Sequence, residues 1–305
     1  MLDLLIIGGG PAGLTAGIYA QRFRLKTLLV EREMVGGQIA VSDVIENYPG
    51  FPSISGAGLM EKFEEHAKKF GLEIKLAEII SITTEHGIKV VKTSEGELRA
   101  KAVIVATGAK PSRLGVQGEK KFTGKGVSYC ATCDGPFFRG LTVMVVGGGD
   151  TAIKEAYYLS KLAAKVYIVH RRDKFRAEKL LIEKIEAAPN IELLKNHVLK
   201  EVNGGMVVKS VFVEDVKTSA VKEIPVDGVF IFVGINPTTD FVDVDKDAKG
   251  FIKTNQKMET SVPGIFAAGD CRTTPLLQVA TAVGDAAIAA FTAEAYIDGL
   301  GEGLK

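Results

Sequence analysis

A chain of 305 residues is long enough for about two domains, each with a core of its own. Its 38 Lys and Arg against 37 Asp and Glu leave a net charge of +1, so no strong field draws it to nucleic acid or an anionic membrane. With 46% apolar and 25% charged residues it reads as an ordinary globular protein, and no apolar stretch nears the ~20 residues of a membrane span.

The chain begins with a near-continuous apolar run, Leu2 to Ile7, expected to form a buried parallel strand. It is too short for a secretory signal and carries Asp3 in place of a basic flank; with only three cysteines, a cytoplasmic location is expected. The run feeds Gly8-Gly9-Gly10-Pro11-Ala12-Gly13, then a helical stretch from Leu14 to about Phe23, then a strand from Thr27 to Val30 ending at Glu31. Strand, G-x-G-x-x-G, helix, strand and acid form a complete dinucleotide fingerprint. The glycines give a tight turn and close approach to a pyrophosphate. The helix N-terminus meets its charge, and Glu31 can accept a ribose hydroxyl. The plainer alternative is a glycine turn that serves packing alone.

Loop-like stretches follow at Gly36-Gly37-Gln38 and Glu46-Asn47-Tyr48-Pro49-Gly50, and helical periodicity returns from about Gly56 to Phe70. From Ile74 to Arg99, short alternating runs broken at His86-Gly87 and Ser94-Glu95-Gly96 predict a small antiparallel meander. A strand from Ala102 to Ala106 closes the unit at Thr107-Gly108.

The second half repeats this plan. Val143 to Val146, the loop Gly147-Gly148-Gly149-Asp150-Thr151-Ala152, a helix to about Leu162 and a strand from Val166 to Val169 mirror the start. A second meander spans roughly Ile191 to Glu223, and Val229 to Val233 closes it at Gly234. Repetition with two nucleotide loops predicts two similarly built domains. Where the first has Glu31, the second has His170-Arg171-Arg172, with Arg176 a helical turn further on. A carboxylate there repels a 2′-phosphate; arginines bind one through charge-assisted bonds, so this loop suits NADPH. The alternative is a solvated charged stretch. In the tail, Gly264 to Asp270 predicts a short strand ending in Gly269-Asp270, ahead of a helix of small residues from Val279 through Ala290.

Between the two loops lies Cys130-Ala131-Thr132-Cys133-Asp134. Two thiols at this spacing close into a disulfide and reopen with little backbone movement, storing two electrons. Half of a zinc site has the same spacing. Zinc, however, takes about four ligands, and Cys271 with His66, His86, His170 and His197 supplies no matching cluster, so no metal is expected.

Taken together, GGGPAG, GGQ, ENYPG, ATG, CATCDG, GGGDTA, HRRDKFRA and GIFAAGD occur in an order that resembles the low-molecular-weight flavoprotein thioredoxin reductases over essentially the whole length. The resemblance implies an α/β protein of two Rossmann-like three-layer dinucleotide-binding domains, the second inserted into the first. Residues 1–112 and 245–305 would form a discontinuous FAD domain, and 113–244 an NADPH domain carrying the dithiol. FAD would contact Gly8, Gly10, Pro11, Ala12, Gly13, Glu31, Gly37, Gln38, Asn47, the Ala106-Thr107-Gly108 turn, Gly269, Asp270 and Gln278. NADPH would contact Gly147, Gly149, Asp150, Thr151, Ala152, His170, Arg171, Arg172 and Arg176. Cys130 would attack the thioredoxin disulfide, Cys133 would face the flavin, and Asp134 would donate the proton. A homodimer joined through the FAD domains is implied, with thioredoxin as the partner.

Three positions depart from the family's commonest pattern. Lys154 stands where an acid is usual, Leu277 precedes Gln278 where arginine is frequent, and Cys271 follows Gly-Asp where aliphatic residues are common. Two relatives of the same build stay open: a reductase serving a glutaredoxin-like or peroxidase-associated partner, and a ferredoxin-dependent enzyme that the phosphate-binding arginines disfavour. A non-catalytic nucleotide-binding or redox-sensing module would leave the dithiol and both loops unexplained.

Overall fold

The computed structural model describes residues 1–42 and 44–302. In chain order, β1 (Leu2–Ile7) leads to α1 (Pro11–Arg22), β2 (Thr27–Glu31), α2 (Gly56–Lys69), β3 (Glu73–Leu76), β4 (Ile79–Glu85), β5 (Ile88–Thr93) and β6 (Gly96–Val105). After the crossing strand β7 (Ala109–Pro111) come α3 (Glu119–Phe122), β8 (Val127–Ser128), α4 (Ala131–Asp134), β9 (Thr142–Gly147), α5 (Asp150–Ser160) and β10 (Lys165–His170). Then follow α6 (Lys179–Glu186), β11 (Ile191–Lys195), β12 (His197–Gly204), β13 (Val208–Asp215), β14 (Val221–Pro225) and β15 (Gly228–Phe232). The return crossing is β16 (Ile235–Pro237), after which β17 (Ile265–Ala267) and α7 (Val279–Glu302) complete the chain.

The chain divides into two compact units, Met1–Lys110 with the stretch from Asn236 onward, and Pro111–Ile235. Residues just past the return crossing lie in the first unit because Val242 and Ile252 are buried in its core beside Val103, Val105 and Cys271.

In the first unit β1 is the central parallel strand, flanked by β2 and β6. Its last four residues are buried, as a strand covered on both faces requires. Pro11 opens α1 with φ already fixed, at a position where its missing N–H costs nothing. The small buried residues of α1 let it close on α7, whose Ala282, Ala286, Ala289, Ala290 and Ala293 form the facing stripe. That stripe carries α7 twelve residues beyond the Ala290 end expected from the sequence, since Ala293 and Ile297 keep its apolar face buried.

Two strands assigned to meanders are parallel members of the main sheets. β3 pairs parallel with β2, and β11 parallel with β10. In each case a helix precedes the strand, so the chain makes a crossover rather than a hairpin. The remaining strands of the first meander, β4, β5 and β6, are antiparallel as expected. β6 is longer than either expected piece: its N-terminal half pairs with β5, and Val103 to Val105 pair with β17. The second unit has a parallel sheet ordered β11-β10-β9-β15-β8 and an antiparallel sheet β12-β13-β14. Among the described residues, no helix is long and apolar enough to cross a membrane.

Candidate redox site and nucleotide loops

At the C-terminal edge of β1 the chain turns through Gly8, whose φ of +108° suits only glycine, and where any side chain would strike the Ala106 carbonyl. A side chain on Gly13 would meet the Gly8 carbonyl, whereas Gly10 faces open space, leaving bare backbone at the head of α1. Glu31 ends β2 with Oε2 accepting the Gly9 amide at 2.7 Å, and Oε1 accepting those of Arg32 and Glu33 at 2.7 and 2.9 Å. The acid is thereby held at the loop with about one acceptor site left.

Other expected residues gather on the same rim. The Gly36 amide donates to the Gly9 carbonyl at 2.9 Å, setting Gly37 beside Gly10 and exposed Gln38 just after it. Asn47 Nδ2 donates to Gln278 Oε1 at 3.0 Å, joining segments 231 residues apart. Gly269 lies against Ala12 and Ala282, so Asp270 stands near the N-terminal end of α1. Thr107 points elsewhere: its hydroxyl donates to the Thr238 carbonyl at 2.6 Å.

Asp270 Oδ1 is buried and, among the described residues, has no hydrogen-bond partner. Burial, reinforced by the Asp285 carboxylate, pushes its carboxyl up to about 6. An unpaired buried acceptor costs about 1–3 kcal/mol. Bare glycine backbone, a helix N-terminus, an acid held at the loop and a buried unpartnered acceptor are features that fit an adenine dinucleotide with a polyol chain.

The second loop repeats the first with one difference. A side chain on Gly147 would meet Ala152 and the Phe232 carbonyl, and Gly149 is open at the head of α5, where Thr151 is exposed. His170 does not line this opening. It is 6% exposed, stacks on Phe175 at 5.2 Å and fills the space over Gly148, so its place is beneath the loop. Burial pushes its imidazole down, with the neighbouring arginines adding to the effect. Arg171, Arg172 and Arg176 are exposed, and the Arg176 amide donates to the Gly148 carbonyl at 2.7 Å, which brings that arginine to the loop. Asp150 Oδ1 accepts the Glu178 amide at 2.9 Å, a tie within the protein itself.

Cys130 and Cys133 form a disulfide with their Cα atoms 5.3 Å apart. Cys130 is the N-cap of α4: its Sγ accepts the Cys133 amide at 3.2 Å and lies 3.4 Å from Thr132 Oγ1. Donors aimed at a sulfur favour its thiolate, the form that attacks a disulfide. Asp134 is half-buried on the same turn, and its amide donates to the Cys130 carbonyl at 3.1 Å. Gly135, just beyond, sits close against the Tyr158 and Leu159 side chains of α5, where any side chain would be tight. The dithiol helix therefore rests on the helix whose N-terminus opens the second loop.

Three features escaped the sequence. Glu155 of α5 has a buried Oε2 with no partner among the described residues, and burial pushes its carboxyl up. Arg272 pairs with Asp285 at 2.8 Å, which holds the Gly269 amide at 3.2 Å. Glu119 is buried at 2% exposure. None belongs to a recognisable sequence motif; each is visible only once the chain has folded. Cys271, by contrast, is the buried packing residue its surroundings predict, with Sγ donating to the Val105 carbonyl at 3.2 Å.

Residues 2–286 match the family of pyridine nucleotide-disulphide oxidoreductases. A thioredoxin reductase of Bacillus subtilis (strain 168) is 46% identical over 99% of this chain and 97% of its own, and one of Peptoclostridium litorale is 45% identical over 98% of each. The crystal structure of thioredoxin reductase from Streptococcus pyogenes superposes with a TM-score of 0.95 at 45% identity, covering 98% of this chain and 99% of that one. The chain therefore belongs to the pyridine nucleotide-disulphide oxidoreductases and, within them, to the thioredoxin reductases.

Proposed function

We propose that this protein passes electrons from NADPH, through FAD, to the Cys130–Cys133 pair and on to a thioredoxin disulfide. The single observation that carries the reading is the Cys130–Cys133 disulfide, set on a short helix packed against α5. When bound, nicotinamide and flavin supply two-electron hydride chemistry that no side chain can perform. Gly8, Gly10, Glu31, Asn47, Asp270 and Gln278 hold the flavin nucleotide in the first unit. Gly147, Gly149, Thr151, Arg171, Arg172 and Arg176 hold the nicotinamide nucleotide in the second, and His170 keeps that loop in shape. Once reduced, Cys130 attacks the thioredoxin disulfide, releasing one thioredoxin thiol. Cys133 then displaces the second thioredoxin sulfur and re-forms the bond to Cys130. Asp134 supplies the proton that the departing sulfur takes up. A homodimer through the first unit belongs to the same reading; Ile288 and Phe291 of α7 and Tyr19 of α1 are large, exposed and apolar there.

Asp134→Asn should slow turnover with thioredoxin about a hundredfold, the lower end of what a positioned acid contributes, because water reaches this half-buried site. Flavin content should be unchanged. Wild-type turnover would reduce Asp134 to a turn residue.

Asp270→Asn should weaken FAD binding while making the FAD-free protein more stable at neutral pH. The folded carboxyl titrates at about 6 against an ordinary 3.8, so from pH 4 to 6 the unfolded chain sheds its proton while the fold keeps it. Stability falls through that window, and the penalty is complete above it. Denaturation of FAD-free wild type and variant should therefore diverge above pH 6 and converge near pH 4. Equal stability at both ends would refute the assignment.

A further inference from the structure

Glu119, at 2% exposure, is among the described residues the acidic residue most completely buried, and it spends its whole accepting capacity. Oε1 accepts the Leu114 amide at 3.1 Å and the Tyr129 hydroxyl at 2.7 Å; Oε2 accepts the Gly115 and Val116 amides at 2.7 and 3.3 Å. A carboxylate offers about four acceptor sites, and all four are taken. The three amides belong to the segment just before α3, and tying down such a turn is ordinary structural work. The fourth donor is different. Tyr129 lies ten residues further on and immediately precedes Cys130.

The surroundings of Cys130 are fixed from the other side as well. Ser128, 4% exposed, accepts the Cys130 amide at 3.0 Å and donates to the Cys130 carbonyl at 3.2 Å. The Tyr129 ring packs against the core around Val127, Met144 and Val229, and its hydroxyl reaches inward to Glu119. The residue before the cysteine is thus anchored through its side chain, and the cysteine backbone through a neighbouring hydroxyl.

We propose that the Tyr129–Glu119 hydrogen bond holds Cys130 within reach of Cys133, which makes Glu119 and Tyr129 positioning residues for the dithiol step. This rests on the redox reading of the pair. Opening by glutathione breaks the Cys130–Cys133 bond and forms one glutathione disulfide. Two glutathione thiols lose two electrons and two protons, and the two cysteine thiols gain them. A thiol held near its partner has a high effective concentration, which favours the closed disulfide; loosening Cys130 favours the open dithiol. Burial and the nearby Glu119 carboxylate push the Tyr129 phenol up to about 12, so it remains a donor throughout the physiological range.

The test uses the full-length, flavin-loaded protein in buffers of glutathione and glutathione disulfide, without NADPH or thioredoxin. Samples are quenched in acid, unfolded, alkylated and weighed. The open form labels all three cysteines and the closed form labels only Cys271. Tyr129→Phe, which keeps the ring and the three amide contacts, should shift the equilibrium about five- to tenfold toward the open dithiol, tenfold being about 30 mV. Glu119→Gln should shift it the same way, since one amide oxygen cannot accept all four donors that the two carboxylate oxygens hold and the amide nitrogen accepts none. Should Glu119→Gln fail to fold, Tyr129→Phe alone decides. A lower melting temperature with an unmoved equilibrium would make the bond structural only and overturn the proposal. A wild-type pair that never opens would instead bring down the redox reading, and the proposal with it.

Discussion

Cys130→Ser and Cys133→Ser should each reduce thioredoxin turnover to background while leaving the bleaching of bound flavin by NADPH intact. Disulfide reduction needs two sulfurs in succession, one to attack and one to resolve, and a serine hydroxyl does neither at neutral pH because it is not ionised. Neither cysteine lies in a nucleotide loop, so the earlier electron transfer survives. The two variants should differ in what they trap. Cys133→Ser keeps the sulfur that caps α4 and accepts the amide of position 133. It should attack oxidised thioredoxin and stop at a stable mixed disulfide, visible by mass. Cys130→Ser should trap none. A mixed disulfide in Cys130→Ser alone would reverse the two roles.

Arg171→Ala combined with Arg172→Ala should lower kcat/KM for NADPH by about two to four decades and leave NADH use nearly unchanged. A hydrogen bond to a charged group contributes about 1.5–3 kcal/mol, and each 1.36 kcal/mol is about tenfold in rate. Both arginines are exposed after β10, with no ion pair of their own among the described residues, so removing them costs the fold little. An unchanged NADPH-to-NADH ratio would mean that the stretch is a solvated face. Arg176 serves as the internal comparison, because its backbone is fixed to the Gly148 carbonyl while its side chain remains free to reach a phosphate.

What was legible in the sequence is what depends on short-range chemistry. The glycine pattern predicted a tight turn, and the structure adds that side chains on Gly8 and Gly13 would meet backbone carbonyls. The Cys130–Cys133 spacing foretold a closed pair. Pairing direction was less legible: Ile74 and Ile191 begin runs that look like meander strands, yet each follows a helix and joins its sheet in parallel. Alternation of apolar residues does not distinguish a hairpin from a crossover; the intervening helix does. His170 was grouped with the arginines beside it, but its position at the buried end of β10 turns its ring inward under Gly148. Buried polar partners such as Glu119 with Tyr129, or Arg272 with Asp285, left no trace in any local pattern.

The central claim is that this chain carries electrons from NADPH to a thioredoxin disulfide. The most direct measurement is NADPH oxidation by the FAD-loaded protein, followed by absorbance, with and without oxidised thioredoxin. The account predicts slow oxidation alone and fast, stoichiometric oxidation once thioredoxin is added, with one dithiol formed per NADPH consumed. Oxidation that proceeds at the same rate with and without thioredoxin, and forms no thioredoxin dithiol, would contradict it.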